Sequence, residues 1–259
     1  NDTNAWYWFL SQKDDEALDL LNQDKNAIPY PMSKVWLKAS IYTSRGMIDS
    51  AHFYSKKGFF IRPRNLSLFN IISRTSVPLN DTTTIQKAFR EYKKYRDEPH
   101  AWKIYMRSLF AVHYNRTELL QLADSLAKVY PNDSEIQHTR FFIRAGFAGM
   151  RRDFPEALEN LLGIMKLNPN DYENMENIGI TYYFLKDYNS AASYFKRVVD
   201  ARVYPNGKSE FYLGNCLLQL GRKEEACKYL YVAANRNYPG GAILFNKNNC
   251  SINTQKQLQ

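Results

Sequence analysis

Apolar and small residues recur along this chain on two scales. Over a few residues they follow helical spacing: Ala191, Phe195 and Val198 fall on one face, as do Ala226, Leu230 and Ala233, because side chains three and four apart share a side of a helix. Over longer distances the pattern itself returns. Gly179, Ala191, Phe195 and Val198 reappear as Gly214, Ala226, Leu230 and Ala233, each 35 residues later. Ala17 and Ala51 are 34 apart, and so are Pro29 and Pro63, and Ala157 and Ala191. A fixed period of this length, made of two amphipathic halves, predicts stacked helical hairpins that each pack on their neighbours.

The residue types fit that geometry. A small residue in the second helix of a pair lets the first approach closely, and a small residue in the first (Ala39, Ala145, Gly179, Gly214) does the same from the other side. A large residue one turn after the small Ala (Leu161, Phe195, Leu230) fills the gap between neighbours. A Pro twelve residues after the Ala ends the second helix, since it cannot continue the hydrogen-bond ladder. The spacing predicts seven helix pairs, over about 1–31, 32–65, 66–98, 99–133, 134–171, 172–206 and 207–240, with 241–259 a capping helix and frayed tail. Pairs three and four depart from the pattern. Pair three has helical periodicity in both halves around a loop at Val77–Asp81 but lacks the small residues, and pair four keeps only Trp102, Leu119 and Pro131. Pro131 lies too far ahead of Ala145, which predicts one more turn in the first helix of pair five.

The pattern resembles the tetratricopeptide repeat. The unit from Tyr172 supplies Met175, Ile178, Gly179, Tyr182, Ala191, Phe195 and Val198 at its signature places, with the final Pro displaced to Pro205. The unit from Gly207 supplies Leu213, Gly214, Leu217, Ala226, Leu230 and Ala233. The unit from Met32 supplies Ala39, Tyr42, Ala51 and Pro63, with Ser55 where a large residue is expected. The resemblance implies an all-α, right-handed superhelical solenoid of antiparallel helix hairpins whose first helices line a concave, peptide-binding face. Carried over place by place, that face holds Trp36, Phe142, Glu173, Glu176, Asn177, Ile180, Tyr183, Lys208, Phe211 and Asn215, with Gly146, Phe184, Leu218 and Gln219 beside them. Such a mixed aromatic and polar groove suits an extended or helical peptide; the competing role for the aromatics is packing between repeats. One subclass of the family clamps a terminal carboxylate with five Lys, Asn and Arg residues. Only Asn177 and Lys208 meet that set, while Phe142, Gly146 and Tyr212 replace the rest, so the clamp is not expected.

Charge adds a second feature. The chain of 259 residues carries +9, and residues 52–116 alone hold 13 Lys and Arg against 4 Asp and Glu. Within that block Lys56, Lys57, Arg62, Arg64, Lys87, Arg90, Lys93 and Lys94 form a basic patch. It suggests an acidic protein or peptide partner, with a solvated helix face as the plain alternative. The chain has no G-x-G-x-x-G, Walker, G-x-S-x-G or H-E-x-x-H motif. Its four His (His52, His100, His113, His138) stand on different helices, none at ligand spacing from another His, Cys or carboxylate. No catalytic residue, metal or cofactor is expected. Cys216, Cys227 and Cys250 read as buried or incidental thiols; a Cys227–Cys250 bridge would need an oxidising compartment, and the odd count does not favour it.

No apolar run approaches the roughly 18 residues that span a bilayer. The opening NDTNAWYW has no initiator Met and no signal-peptide pattern, which reads as a processed chain or an excised fragment. Three Asp-Ser/Thr-apolar triplets, at Asp49, Asp81 and Asp124, tilt the expected location slightly toward a bacterial cell envelope. The resulting expectation is a non-catalytic protein-interaction scaffold. An accessory domain of a bacterial envelope enzyme or secretion system is the first alternative and an RNA-binding helical repeat the second, with nucleic acid the less expected partner.

Overall fold

The structure, a computed structural model, describes residues 5, 8–23 and 32–251. The described part is helical throughout, without strands. In chain order its helices are α1 (Asp14–Gln23), α2 (Met32–Ser44), α3 (Ile48–Phe59), α4 (Leu66–Ser76), α5 (Thr82–Lys93), α6 (Pro99–Ala111), α7 (Arg116–Val129), α8 (Ser134–Met150), α9 (Phe154–Leu167), α10 (Tyr172–Phe184), α11 (Tyr188–Ala201), α12 (Lys208–Gln219), α13 (Lys223–Asn235) and α14 (Gly241–Lys247). Residues 5 and 8–10 are also helical, ahead of α1. Most of the Pro-bearing end of the expected first pair, including Pro29, and the polar end of the expected tail (252–259) lie outside the described residues. No described helix is long and apolar enough to cross a membrane. The chain forms two compact units, Asn1–Thr139 and Arg140–Gln259, and α8 contains the division.

One backbone device closes every hairpin. In the turn between α10 and α11, Lys186 takes the left-handed conformation (φ 63). The Asp187 N–H then donates back to the Tyr182 carbonyl at 3.0 Å, and the Asp187 carboxylate accepts from the Ser190 N–H to cap α11. This six-to-one bond is a Schellman closure, which satisfies carbonyls left over at a helix end. The same bond recurs at Lys13 to Trp8, Met47 to Tyr42, Asp81 to Ser76, Tyr114 to Leu109, Asp153 to Ala148 and Arg222 to Leu217, between 2.8 and 3.0 Å. The left-handed residues of these seven turns are Gln12, Gly46, Asn80, His113, Arg152, Lys186 and Gly221. They are spaced by 34, 34, 33, 39, 34 and 35 residues, and the 39 marks α8, which has 17 residues against 13 in α10.

That frame explains why pairs three and four hide their periodicity. Counting back seven residues from each left-handed position gives the place where the two helices of a hairpin cross: Ala5, Ala39, Ser73, Met106, Ala145, Gly179 and Gly214, all buried. Pair three has its small residue after all, but it is Ser73. It faces no small partner, since Ile85 stands where Ala17, Ala51, Ala157, Ala191 and Ala226 stand in other second helices. In pair four the sizes are exchanged. Met106 is large on the first helix, and on the second Leu119 precedes Ala123, the reverse of Ala157 before Leu161 and Ala191 before Phe195. A volume-conserving exchange of this kind keeps a core filled. Aromatic rings supply the remaining bulk in the first unit: Phe59, Phe69, Phe89, Tyr92, Trp102 and Tyr105 form a chain of ring contacts 4.0–6.1 Å apart.

In the second unit the core is built from the expected positions. Ala191, Phe195, Leu213, Cys216, Leu217 and Ala226 form one buried cluster, and Ala145, Leu161, Ile164 and Ile178 another. The structure corrects the reading of the cysteines as unpaired thiols. Cys227 of α13 and Cys250 beyond α14 form a disulfide, with Cα atoms 5.4 Å apart. The odd thiol, Cys216, is buried, and burial pushes its pKa up to about 12. A thiol so held is inert packing.

Candidate functional site

In α10 Asn174, Met175, Ile178 and Gly179 are buried. The opposite stripe carries Glu173, exposed, with Asn177, Ile180 and Tyr183 half-buried. On the neighbouring α12, Leu213, Gly214, Cys216 and Leu217 are buried, while Lys208, Phe211, Asn215 and Leu218 are half-buried. Residues three, four and seven apart line one helix face, so the two helices present adjoining stripes.

Two cross-links fix those stripes to each other. At one end Glu176, only 8% exposed, accepts from Lys208 Nζ at 2.7 Å and from Ser209 Oγ at 2.6 Å. At the other end Asn215 Nδ2 donates to the Tyr183 hydroxyl oxygen at 2.9 Å. Between them lie Asn177 and Ile180 on α10 and Phe211 on α12. Glu176 is therefore spent on structure. A buried carboxylate needs such partners, because an uncompensated one is costly. Lys208 keeps 31% of its side chain exposed. Burial first, then Tyr188 and Cys216, pushes the Tyr183 phenol above its ordinary value, so it remains a neutral hydrogen-bonding group. Phe211 rests on Tyr238, 5.1 Å between ring centres, and edge-on to Tyr212.

The remaining expected positions fall elsewhere. Phe142 packs against the cluster of Ala145, Leu161, Ile164 and Ile178. Trp36 belongs to the first unit and packs against Ala5, Ala17, Leu18, Leu21, Leu37 and Ile41. Glu176, Asn177, Ile180, Tyr183, Lys208, Phe211 and Asn215 thus share one surface, with Glu173 one turn before Glu176 on the same helix. Ser209 and Tyr238 join them without having been anticipated from sequence. Ser209 gave no signal, being an ordinary helix residue next to a Lys. Tyr238 stands close behind the last hairpin, where aromatics are otherwise unremarkable in a chain with 19 Tyr.

The basic patch resolves into separate parts, all in the first unit. Lys56 and Lys57 end α3. Lys87, Arg90, Lys93 and Lys94 line the exposed side of α5 and its end, where Lys87 covers the Phe60 ring, Lys93 lies over Trp102 and 3.7 Å from Asp97, and Lys94 pairs with Glu91 at 2.8 Å. Arg62 and Arg64 lie in the turn between α3 and α4. Among the described residues no group of three or more His, Cys, Asp or Glu could hold a metal ion. His52 is buried, with Nδ1 2.9 Å from Thr75 Oγ1 and Nε2 3.6 Å from Asp81. His100 meets Glu135 at 2.9 Å.

Two stretches match models described as tetratricopeptide repeat, residues 172–202 and 208–240. No curated protein sequence matches the chain. Among solved structures, a tetratricopeptide repeat protein from Parabacteroides merdae is similar at TM-score 0.68 and 13% identity, over 95% of this chain and 96% of that one. A chain of the APC/C hetero-tetramer Cut9–Hcn1 is similar at TM-score 0.64 and 11% identity, over 95% of this chain and 48% of that one. The pilF protein of Pseudomonas aeruginosa is similar at TM-score 0.58 and 15% identity, over 83% and 95%. At such identities the likeness is one of fold.

Proposed function

Because the chain belongs to the tetratricopeptide repeat family, we propose that it is a non-catalytic scaffold that holds a peptide segment of a partner protein on the α10–α12 face. The observation that carries this reading is the pair of cross-links around Asn177, Ile180 and Phe211. Glu176–Lys208/Ser209 and Tyr183–Asn215 fix two helices at both ends of a two-turn span. An amide, an aliphatic side chain and an aromatic ring are left half-open between them. Rigid side chains lose little entropy when a ligand arrives, so such a surface suits recognition. The disulfide supports a place for the chain in an oxidising compartment such as the cell envelope, since such bonds persist there.

The test is Ile180→Glu, which puts a charge in the middle of the face without touching either cross-link. Affinity capture from the source cell with wild type and with this variant, followed by calorimetry on the recovered partner, reads the result. The expected outcome is a folded protein with a modestly lower melting point, because Ile180 also packs on the cluster around Phe195, and a partner affinity weakened by about tenfold or more. Equal capture by both proteins would remove the face from consideration.

A further inference from the structure

The first unit carries a hollow that the α10–α12 reading does not use. It has a volume of about 520 Å³ and is lined by Ile61, Arg62, Pro63, Arg64, Asn65 and Tyr95. Ile61 and Tyr95 occupy the same place in successive hairpins, 34 residues apart at the end of the second helix, and both project into solvent (60% and 54% exposed). The equivalent residue of the next hairpin, Val129, is 66% exposed. Large apolar side chains exposed at one repeated position are not random surface scatter.

The charges around this hollow are unbalanced for a definite reason. Residues 52–116 contain four carboxylates, and all are engaged. Asp81 caps α5 through the Thr84 N–H and faces His52. Glu91 pairs with Lys94. Asp97 takes the Trp102 indole N–H at 2.7 Å and faces Lys93. Glu98 takes the Tyr92 hydroxyl. Arg62 and Arg64, both exposed, therefore have no carboxylate among the described residues. Arg64 is instead laid against the Tyr95 ring, its guanidinium carbon 5.5 Å from the ring centre. Stacking of this kind holds the guanidinium plane while leaving its N–H edge free to take a carboxylate with two parallel hydrogen bonds.

We propose that this hollow is a docking site for an acidic peptide segment of a partner, with Arg62 and Arg64 taking its carboxylates and Ile61, Pro63 and Tyr95 taking an adjacent apolar side chain. The proposal rests on the reading of the chain as a protein-interaction scaffold and adds a second, chemically distinct surface to it. A peptide fits better than a nucleic acid. Arg64 already covers one face of Tyr95, and phosphate backbones are tracked by a long basic stripe, whereas here two guanidiniums converge on one hollow with apolar walls.

The experiment measures fluorescence anisotropy of a labelled octapeptide alternating glutamate and leucine, titrated with the full chain. The comparison proteins are Arg62→Glu/Arg64→Glu, the milder Arg62→Gln/Arg64→Gln, Tyr95→Ala and Ile180→Glu. Wild type is expected to bind, the Arg62/Arg64 charge reversal to weaken binding by about tenfold or more, and added salt to weaken it further. Ile180→Glu is expected to bind the octapeptide as wild type does. No binding by wild type, or equal binding by the charge-reversed protein, overturns the proposal. So does displacement of the octapeptide by a single-stranded oligonucleotide of equal charge that binds more tightly. Loss in Ile180→Glu with retention in both Arg62/Arg64 variants also overturns it, while placing acidic recognition on the α10–α12 face and leaving that reading intact. Loss of the native partner's capture is scored separately, with Ile180→Glu alone, so the two sites fail independently.

Discussion

The Phe195 ring fills the space into which a side chain on Gly179 would project: a Cβ there would come within 3.0 Å of two ring carbons. The relationship repeats one hairpin later, where a Cβ on Gly214 would come 2.7 Å from Leu230. Alanine at Gly179 would raise helix propensity by about 1 kcal/mol. Against this stands a fully buried ring that has to give by a few tenths of an ångström, and overpacking of a dense core costs about 1–3 kcal/mol. The clash should win. Gly179→Ala is expected to lower the unfolding free energy of the second unit by about 1 kcal/mol and Gly179→Leu by about 3 kcal/mol or more, read from urea midpoints. Phe195→Leu combined with Gly179→Ala should recover part of the loss, and strict additivity of the two changes would show that they do not meet.

The hairpin turns make a second, opposite prediction. Lys186 is exposed and left-handed, a conformation that costs an L-residue about 1–2 kcal/mol. Glycine removes that strain, offset by about 0.5–1 kcal/mol of extra freedom in the unfolded chain. Lys186→Gly should therefore stabilise by about 0.5 kcal/mol, seen as a small rise in Tm. Asp187→Ala, which removes the cap on the Ser190 N–H, should cost about 1 kcal/mol. A fall in Tm for Lys186→Gly would mean that the turn draws on that side chain.

These two features show what could and could not be read from the residues. The close approach at Gly179 and Gly214 is written in residue size, so the 35-residue period exposed it. The turn is written in backbone conformation, which Gln, Gly, Asn, His, Arg and Lys all adopt here, so composition conceals it. Pair four departs from the pattern because large and small residues trade places at Met106, Leu119 and Ala123, and pair three because its small residue is Ser73 and Ile85 stands at the position of the usual Ala. The site was legible to the same degree. The resemblance to the tetratricopeptide repeat put Ile180, Tyr183, Phe211 and Asn215 on one surface, but nothing in it said that Glu176 would be consumed by Ser209 and Lys208. The basic patch was legible as a sum of charges. Its division into Lys93 and Lys94, which meet Asp97 and Glu91, and Arg62 and Arg64, which meet no carboxylate among the described residues, depended on where four carboxylates went, which only the fold decides.

His52 gives the first unit a pH dependence. Burial, then Lys56, holds its imidazole below the ordinary value, against the opposing pull of Asp81 and Asp49. The folded state therefore prefers the neutral ring, while the unfolded chain takes up the proton near pH 6.5. Stability from this group is present above that value and lost as pH falls through it. Asp81 behaves differently. Burial pushes its carboxyl up, but the Thr84 hydrogen bonds, Lys56 and His52 hold it lower still than usual, so its contribution goes only in stronger acid. Urea midpoints between pH 7.5 and 5 should fall for wild type, and the slope should flatten in His52→Gln. A slope that His52→Gln leaves unchanged would assign the acid sensitivity to another group.

The disulfide holds the C-terminal cap on the array. α14 has seven residues and buries only Gly241, whose Cβ position lies 2.9 Å from the Ala233–Ala234 backbone. A helix this short has little stability of its own. The bond joins residues 23 apart, and closing a loop of that length in the unfolded chain is worth about 3 kcal/mol in the chain-entropy account. Reduction should therefore release α14 first, leaving Ala233 of α13 newly exposed and Tyr231 without its contact with Phe245. Hydrogen exchange with and without reductant should show protection lost in 241–250 while α10–α12 stays protected, and Tm should fall. Cys227→Ser/Cys250→Ser should match the reduced wild type and ignore reductant. Identical exchange in both states would show that α14 is held by packing alone, with the bond contributing nothing to the cap.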